Sequence, residues 1–371
     1  MIERATRTSF LTAGISLSAW APLVPHVRDR LHAGEGELGL LMLALGAGSV
    51  LAMPMAGILA SRIGCRQLIL RVALLCCAVM PGLALAPGYL TLVPLLFVFG
   101  ACLGSMDVAI NLHAVLVERA SGRRLMSGFH GCFSVGCIVG AGGVTGLLSL
   151  GLPPCLAMLT LVIVNLIALA WAVPKLLNTG GEAGAGLRWP RGPLLLLGAM
   201  CFATFLTEGA MLDWSAVALN QLQQVASDRA GIGFTVFALA MTFGRFRGDG
   251  WVSRFGPARV LMVGTTLAVT GIVLAVNASA PMSALVGYAL AGLGASNIAP
   301  IVFSAAGRHG HGNTQAAVAA ISTMGYSGSL AGPALIGLLA HASNLTVALM
   351  VVAGGLATAV ACGRHAAIAN D

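Results

Sequence analysis

The sequence predicts an all-α membrane protein of twelve transmembrane helices, built as two parallel six-helix repeats with both termini in the cytoplasm. Three observations lead to this fold class. Charged residues make up only 9% of the 371 residues and hydrophobic residues 58%, whereas a soluble domain carries about 25% charged residues. Apolar runs long enough to cross a bilayer recur along the whole chain. Short sequence motifs in the first half recur in the second half at a nearly constant spacing.

The apolar runs define the individual helices, because a helix that crosses a bilayer needs about 20 apolar residues. Six are predicted in the first half, at 8–27, 38–60, 68–86, 89–116, 125–150 and 153–173. Six more are predicted in the second half, at 194–219, 231–247, 260–280, 282–305, 315–342 and 344–363. Residues 174–193 between them are polar and rich in glycine and proline. This segment predicts a cytoplasmic linker between an N-terminal bundle (1–173) and a C-terminal bundle (194–371).

Four sequence matches, in the same order, relate the two halves. FLTAG at 10–14 returns as FLTEG at 205–209, and SRIG at 61–64 returns as SRFG at 253–256. Further along each half, Asp107 pairs with Asn297, and GLL at 146–148 pairs with GLL at 337–339. Because each pair falls in the corresponding helix or loop of its half, the two bundles are predicted to have the same topology.

Lysine and arginine residues in the loops predict the orientation, since they concentrate on the cytoplasmic side. With a cytoplasmic N-terminus, only Arg28, Arg30 and Arg229 of the 20 Lys and Arg residues face the other side. This bias accounts for the formal net charge of +8 without a nucleic-acid partner. Nucleic-acid binding would call for clustered basic residues with interleaved aromatics, and Lys175 is the single lysine in the sequence.

The loop after the second helix carries a short motif, G-x-x-x-S-R-x-G-x-R. It resembles the G-x-x-x-D-R-x-G-x-R/K pattern of the major facilitator superfamily, with Ser61 where the family usually has an acid. The resemblance extends over the whole chain, and it implies a transporter whose parallel halves are related by an axis along the membrane normal. The matching residues in the first half are Gly57, Arg62, Gly64 and Arg66.

A narrower resemblance lies in three other segments. The sequence DVAIN at 107–111 is similar to the E-x-A-x-N signature of the fucose–galactose–glucose proton symporter branch, although it has Asp in place of Glu. NIAPIVFSA at 297–305 resembles the tenth helix of that branch. EGAMLDWS at 208–215 is similar to a nearby uncharacterised bacterial group. These resemblances imply a protein of a bacterial cytoplasmic (inner) membrane.

Three acids fall inside predicted helices, where a charge is costly and is seldom kept without a use. Glu208 lies close to the midplane of the seventh helix and is the first candidate for a proton-coupling site, the alternative being a structural acid bonded to a neighbouring helix. Asp107 is a second candidate, or a partner of His130. Asp213 is a third, although its position beside Trp214 also suits an interfacial anchor.

The resemblance also implies that the first, fourth, seventh and tenth helices line a central cavity, and all three acids lie on them. Polar and aromatic side chains on these helices and on the eleventh suit a sugar ring or a flat lipophilic compound, although ordinary packing between helices would explain each one singly. The candidate cavity residues are Thr12, Ser16, Trp20, Asn111, Asn297 and Tyr326.

A cytoplasmic gate is predicted at the two loop motifs. The second copy of the motif supplies Arg254 and Gly256. Arg245 and Asp249 are four residues apart, so they share one helix face, and we expect them to help hold the two halves together when the cytoplasmic side is closed. Positive-inside charge alone explains the arginines equally well, but it does not explain Asp249.

The function predicted from these features is secondary active transport by alternating access, through proton-coupled symport of a small polar, sugar-like solute. The alternative is a proton-driven exporter of a metabolite or lipophilic drug. Its glycine–proline signature in the fifth helix is incomplete, because Ala141 follows Gly140. No nucleophile–base or metal motif points to an enzyme. No cofactor or metal is expected, and the expected partners are the solute, protons and the lipid bilayer, with the chain acting as a monomer.

Overall fold

A computed structural model of the chain describes residues 1–32, 35–177, 190–226, 229–309 and 313–368, and its regular secondary structure in these ranges is helical. Short 3-10 segments occur at Ala21–Leu23 and Val173–Lys175. The α-helices are α1 (Ile2–Ala19), α2 (Val24–Leu31), α3 (Glu35–Ile63), α4 (Cys65–Leu85), α5 (Tyr89–Ser121), α6 (Met126–Ser149), α7 (Pro154–Ala172), α8 (Pro193–Gln223), α9 (Ile232–Phe255), α10 (Pro257–Asn277), α11 (Pro281–Ala295), α12 (Ile298–His309), α13 (Thr314–Ala342) and α14 (Leu345–Ile368).

These helices confirm the predicted all-α membrane fold. Over the described ranges they form twelve passes, because α1 continues into α2 and α11 continues into α12. Ten passes are long and apolar enough to cross a membrane. The other two are α9, which carries three charged residues between 245 and 249, and α13, which is rich in glycine and serine. The predicted linker falls largely at 178–189, outside the described residues.

One predicted helix boundary is wrong in a way that matters for function. The apolar run at 231–247 ends at its arginines, but α9 continues to Phe255. Arg245 and Asp249 therefore lie well inside a helix, and not at its end as the apolar run predicts. A run of charged residues marks the end of an apolar pattern, but it does not end a helix when the backbone can go on making its own hydrogen bonds.

By their internal contacts, the residues form two compact units. Unit 1 comprises Met1–Gly122, Cys132–Arg188 and Gly310–Ala319. Unit 2 comprises Arg123–Gly131, Trp189–His309 and Ala320–Asp371. The first turns of α6 thus belong to unit 2 while the rest of that helix belongs to unit 1, and the first turns of α13 belong to unit 1 while the rest belongs to unit 2.

The same backbone packing recurs inside each unit. In unit 1, a Cβ on Gly100 of α5 would lie 1.9 Å from the carbonyl oxygen of Leu45 on α3. In unit 2, a Cβ on Gly292 of α11 would lie 2.1 Å from the carbonyl oxygen of Phe237 on α9. Both pairs are related by an offset of 192 residues. Small residues at such crossings let helix backbones come into contact, so the sequence repeat is also a repeat of packing.

This offset changes one of the four sequence matches. Where Gly100 corresponds to Gly292, an offset of 192 aligns Asn297 with Ser105. The pairing of Asp107 with Asn297 is therefore two residues out of register with the packing. Residues 296 and 297 form the turn between α11 and α12, where the helix of unit 2 is interrupted.

The SRIG and SRFG repeats have a conformational reason. Gly64 separates α3 from α4 with a φ of 80°, and Gly256 separates α9 from α10 with a φ of 78°. A side chain at such positive φ angles is strained. Both glycines end one helix and begin the next at equivalent positions of the repeat, which explains why the motif keeps glycine in each half.

Candidate functional site

The most unusual feature of unit 2 is an ion pair between the middle parts of two membrane helices. Nη2 of Arg245 on α9 donates to Oε1 of Glu208 on α8 at 2.9 Å. Glu208 is the central residue of the 31-residue helix α8, which places about 22 Å of helix on either side. Arg245 lies ten residues before the end of α9, about 15 Å along its axis. Charges at such depth are expensive and mark functional sites in membrane proteins.

The two members of this pair differ in exposure. The side chain of Arg245 is 7% exposed and that of Glu208 is 26% exposed. A carboxyl group has a charged and a neutral form, whereas arginine in proteins stays protonated.

Two pairs of aromatic rings lie on the helices of unit 2 near the ion pair in sequence or in space. Phe205, three residues before Glu208 on α8, meets Tyr326 of α13 edge to face, with ring centroids 5.8 Å apart. His130, in the part of α6 that belongs to unit 2, stacks on Phe303 of α12 at 5.7 Å and lies within electrostatic range of Arg245. Tyr326, predicted from sequence to line the cavity, thus packs against a residue that lies one turn before Glu208 on α8.

Asp249 binds two backbone amides at the start of α6. Its Oδ1 accepts from the backbone N–H of Ser127 at 2.9 Å, and its Oδ2 accepts from the N–H of Gly128 at 2.8 Å. These amides belong to the first turn of α6, where no carbonyl of the same helix is available to them. A carboxylate at this position also suits the positive end of the helix dipole. Asp249 therefore caps α6 within unit 2.

The corresponding contact in unit 1 is made by a glycine. Gly57 is the equivalent of Asp249 at the offset of 192, and its hypothetical Cβ would lie 2.7 Å from Cβ of Ala319 on α13. Ala319 in turn is the equivalent of Ser127. Nearby, Arg119 of α5 donates to the hydroxyl of Thr314 at 3.1 Å. The repeat thus places the same two positions in contact twice, once by close backbone packing and once by a charged cap.

The other arginines of the predicted gate lie at the surface. Arg62 and Arg254 are exposed and Arg66 is half-buried. The guanidinium of Arg254 lies over the ring of Phe255, 5.3 Å from its centroid.

Asn297, in the turn between α11 and α12, is hydrogen-bonded to α9. Its Nδ2 donates to the carbonyl of Gly244 at 3.1 Å and to the hydroxyl of Ser296 at 2.8 Å. Gly244 and Gly248 leave the space for this contact, because a Cβ on Gly248 would lie 1.7 Å from Oδ1 of Asn297. Asn297 therefore lies directly beside the turn of α9 that carries Arg245.

The polar residues of α1 face the interior of unit 1. Thr12 and Ser16 are buried and line a small pocket with Cys76 and Cys77 of α4. Ser16 accepts from Nδ2 of Asn165 on α7 at 3.0 Å. The pocket is about the size of one water molecule.

The remaining residues of the predicted cavity and proton sites lie on α5 and α8 and, for Trp20, directly after α1. Trp20 packs into the hydrophobic core of unit 1. Asn111 is fully buried and donates to Oδ1 of Asp107 at 3.1 Å, so the D-x-x-x-N spacing forms one hydrogen-bonded turn. Asp213 is exposed on α8 beside the half-buried Trp214.

Three features of the site were missed from sequence. The partner of Glu208 is one, because Arg245 is predicted at the cytoplasmic end of its helix and not beside Glu208. Asn165 was another, although a lone asparagine in an apolar run at 154–172 is a usable signal. The third is His113 on α5, whose Nε2 accepts from the N–H of Leu177 at 2.9 Å and whose Nδ1 lies 3.3 Å from Oγ1 of Thr6. His113 thus anchors the start of the predicted linker to unit 1.

Two six-helix units with the same packing, and an ion pair between the middle parts of two helices of one unit, define a polytopic membrane protein of the transporter type. The chain belongs to the major facilitator superfamily: the sequence model named Major Facilitator Superfamily matches residues 8–207. It is accordingly a secondary transporter and an integral membrane protein, and not an enzyme.

Relatives of this chain support the assignment over its whole length. An uncharacterized transporter of the same superfamily from Yersinia pestis is 47% identical over 362 residues, which cover 97% of this chain and 94% of the relative. Membrane protein MosC of Rhizobium meliloti is 33% identical over 361 residues, 96% of this chain and 88% of the relative. The solved structure of the E. coli fucose:proton symporter FucP superposes with a TM-score of 0.80 at 17% identity and covers 98% of each chain, which shows the shared fold.

Proposed function

We propose that this transporter couples the uptake of a small polar, sugar-like solute to the inward movement of protons, and that Glu208 carries the proton. The observation behind this proposal is the ion pair of Glu208 with Arg245 at the centre of α8. A partly exposed acid in the membrane interior can be reached by a proton. Arg245, the cation beside it, stabilises the ionised form of this acid relative to the protonated form.

Protonation of Glu208 removes the attraction that joins α8 to α9 at this depth. Breaking a buried ion pair by removing one charge typically costs about 3–5 kcal/mol, which is large enough to shift an equilibrium between two transporter conformations. In alternating access, the two halves of a transporter of this fold rock about a central site. Glu208 is ionised and paired with Arg245 in one conformation, and it is protonated in the other.

Asp107 and Asp213 are proposed to assist Glu208. Asp107 shares a hydrogen bond with Asn111 on its own helix, which suits a group that assists solute binding. Asp213 is exposed on the same helix as Glu208, and it is proposed as a secondary proton site. Tyr326 and Phe205 are proposed as the aromatic wall beside which the solute binds.

The cytoplasmic gate forms a second part of the proposal. The cap that Asp249 makes on α6 is a contact that can be made in one conformation and released in another. Gly57 occupies the equivalent position against α13. We propose that both contacts form when the transporter is closed to the cytoplasm, with Arg62, Arg66 and Arg254 at the same surface.

Proton coupling can be tested with the purified protein in liposomes that contain a pH-sensitive dye. A panel of monosaccharides is added to the outside first, followed by lipophilic cations. Acidification of the lumen when a sugar is added means that solute and proton enter together, as proposed. Alkalinisation when a cation is added means exchange, and the exporter would then replace the symporter.

A further inference from the structure

The charge of the ion-pair site depends on Glu208 alone. Arg245 is buried and permanently positive, whereas Glu208 is more exposed and can be neutralised. When Glu208 takes up a proton, the charge of the site rises by one unit. This holds whatever else Arg245 contacts, because it depends only on the change at Glu208. An additional positive charge at this depth of a membrane is unfavourable unless an anion arrives with it.

We infer that the solute that travels with the proton is an organic anion, and that Arg245 binds its carboxylate in the place that Glu208 vacates. This inference rests on the proposed coupling at Glu208 and adds the chemical class of the solute. A guanidinium presents a planar fork of N–H donors that fits a carboxylate. Glu208 already shows that a carboxylate oxygen fits at 2.9 Å from Nη2.

The surroundings of Arg245 favour an organic anion over an inorganic one. Phe205, three residues before Glu208 on α8, meets Tyr326 edge to face, and the ring of His130, which is within electrostatic range of Arg245, stacks on Phe303. Such rings offer flat apolar surface to a carbon skeleton. A sugar acid, which has a polar ring or chain and one carboxylate, satisfies both the aromatic wall and the cation.

Charge balance then predicts the stoichiometry. The empty site contains Glu208 as a carboxylate and Arg245 as a cation. The loaded site contains neutral Glu208, Arg245 and the carboxylate of the solute. Both forms have the same net charge, so one proton and one monoanion cross together and the transport step moves no net charge.

Several other titratable groups lie on the elements packed around Glu208. At this depth they are Arg245 on α9, His130 on α6 and Tyr326 on α13, with Asp213 five residues further along α8 itself. On α11, Tyr288 donates its hydroxyl to the carbonyl of Ser215. The other charged or titratable residues of α9, α10, α12, α13 and α14 in the described ranges lie nearer the helix ends, and they are Arg247, Asp249, Arg254, Arg259, Arg308, His309, His341, Cys362, Arg364 and His365.

The test compares solutes that differ only in the carboxylate. Liposomes containing the full-length protein and a pH dye receive glucuronate or glucose, and galacturonate or galactose, with protein-free liposomes as the control for passive entry. We expect acidification with the acids and none with the neutral sugars. An imposed membrane potential should leave the rate unchanged. The affinity for the acid should fall as pH rises, by about 5- to 150-fold, the usual range of coupling between two sites.

Three outcomes contradict the inference in distinguishable ways. Acidification with glucose or galactose but not with their acids overturns the anionic solute and leaves the proposed symport intact. A response to the acids that depends on membrane potential contradicts the charge balance. No proton movement with either class, from a folded and monodisperse preparation, overturns the proposed symport of sugar-like solutes together with the inference.

Two variants separate solute binding from a merely structural ion pair. Glu208→Gln mimics the protonated acid, so it should bind glucuronate without dependence on pH and retain exchange of labelled for unlabelled glucuronate, while proton-coupled uptake is lost. Arg245→Gln in the Glu208→Gln background should lose glucuronate exchange. If the ion pair were only structural, removing both charges would leave no unpaired charge, so the double variant would fold and would exchange glucuronate as the wild type does. Glu37→Gln, at an exposed position of α3, is the matched control.

Discussion

The cap on α6 permits a prediction whose size follows from the geometry. Asp249→Asn keeps the shape of the side chain but removes its charge and one of the two acceptor oxygens that bind Ser127 and Gly128. A hydrogen bond to a charged group contributes about 1.5–3 kcal/mol. At about 1.36 kcal/mol per factor of ten, the loss should raise the equilibrium constant for local opening of this turn, and with it the amide exchange rate, about 13- to 160-fold.

Hydrogen–deuterium exchange measures this opening directly. In the wild-type protein, the amides of Ser127 and Gly128 should exchange slowly, and in Asp249→Asn the peptide that contains them should exchange faster by the factor given above. Peptides from the middle of α4 should be unaffected. Asp29→Asn, an exposed acid on α2, serves as the control and should change nothing at α6. An unchanged exchange rate at these two amides in Asp249→Asn would refute the capping role.

Two further predictions concern glycines. Gly64→Ala and Gly256→Ala force a side chain into positive φ angles, so each should destabilise the protein by about 1–2 kcal/mol and lower its apparent melting temperature in detergent. The control Gly142→Ala, at a helical position with open space around it, should leave the melting temperature unchanged. Equal melting temperatures for all three variants would contradict the account. Gly100→Ala and Gly292→Ala drive a methyl group into a carbonyl oxygen of the neighbouring helix, so both should reduce the yield of monodisperse protein. Normal yield from both variants would show that these crossings relax more easily than the packing implies.

The architecture could be predicted from sequence because its signals are local or repeated. The apolar runs predict the passes directly. The repeated motifs at 61–64 and 253–256 mark equivalent turns of the two halves. The positive φ angles of Gly64 and Gly256 are the physical reason that both motifs contain glycine. Helix ends were less predictable. The end of α9 was placed too early because charged residues were taken as the membrane boundary.

The site was harder to predict because its contacts join distant parts of the chain. Glu208 was singled out as an acid in an apolar helix, but its partner Arg245 lies 37 residues away on another helix. Asn165 and Ser16 are 149 residues apart, and nothing in the local sequence of either predicts the other. Asp249 was recognised as unexplained by the positive-inside rule, yet only the structure shows that it binds the first turn of α6.

Proton movement by Glu208→Gln tests the central claim most directly. Wild-type protein, Glu208→Gln and the Glu37→Gln control are placed in liposomes with a pH dye inside, and the solute that gives the largest wild-type response is added outside. The account predicts lumenal acidification for the wild type and for Glu37→Gln, and none for Glu208→Gln, although this variant still exchanges labelled solute. Acidification by Glu208→Gln at the wild-type rate and with the wild-type pH dependence would contradict the assignment of the proton to Glu208.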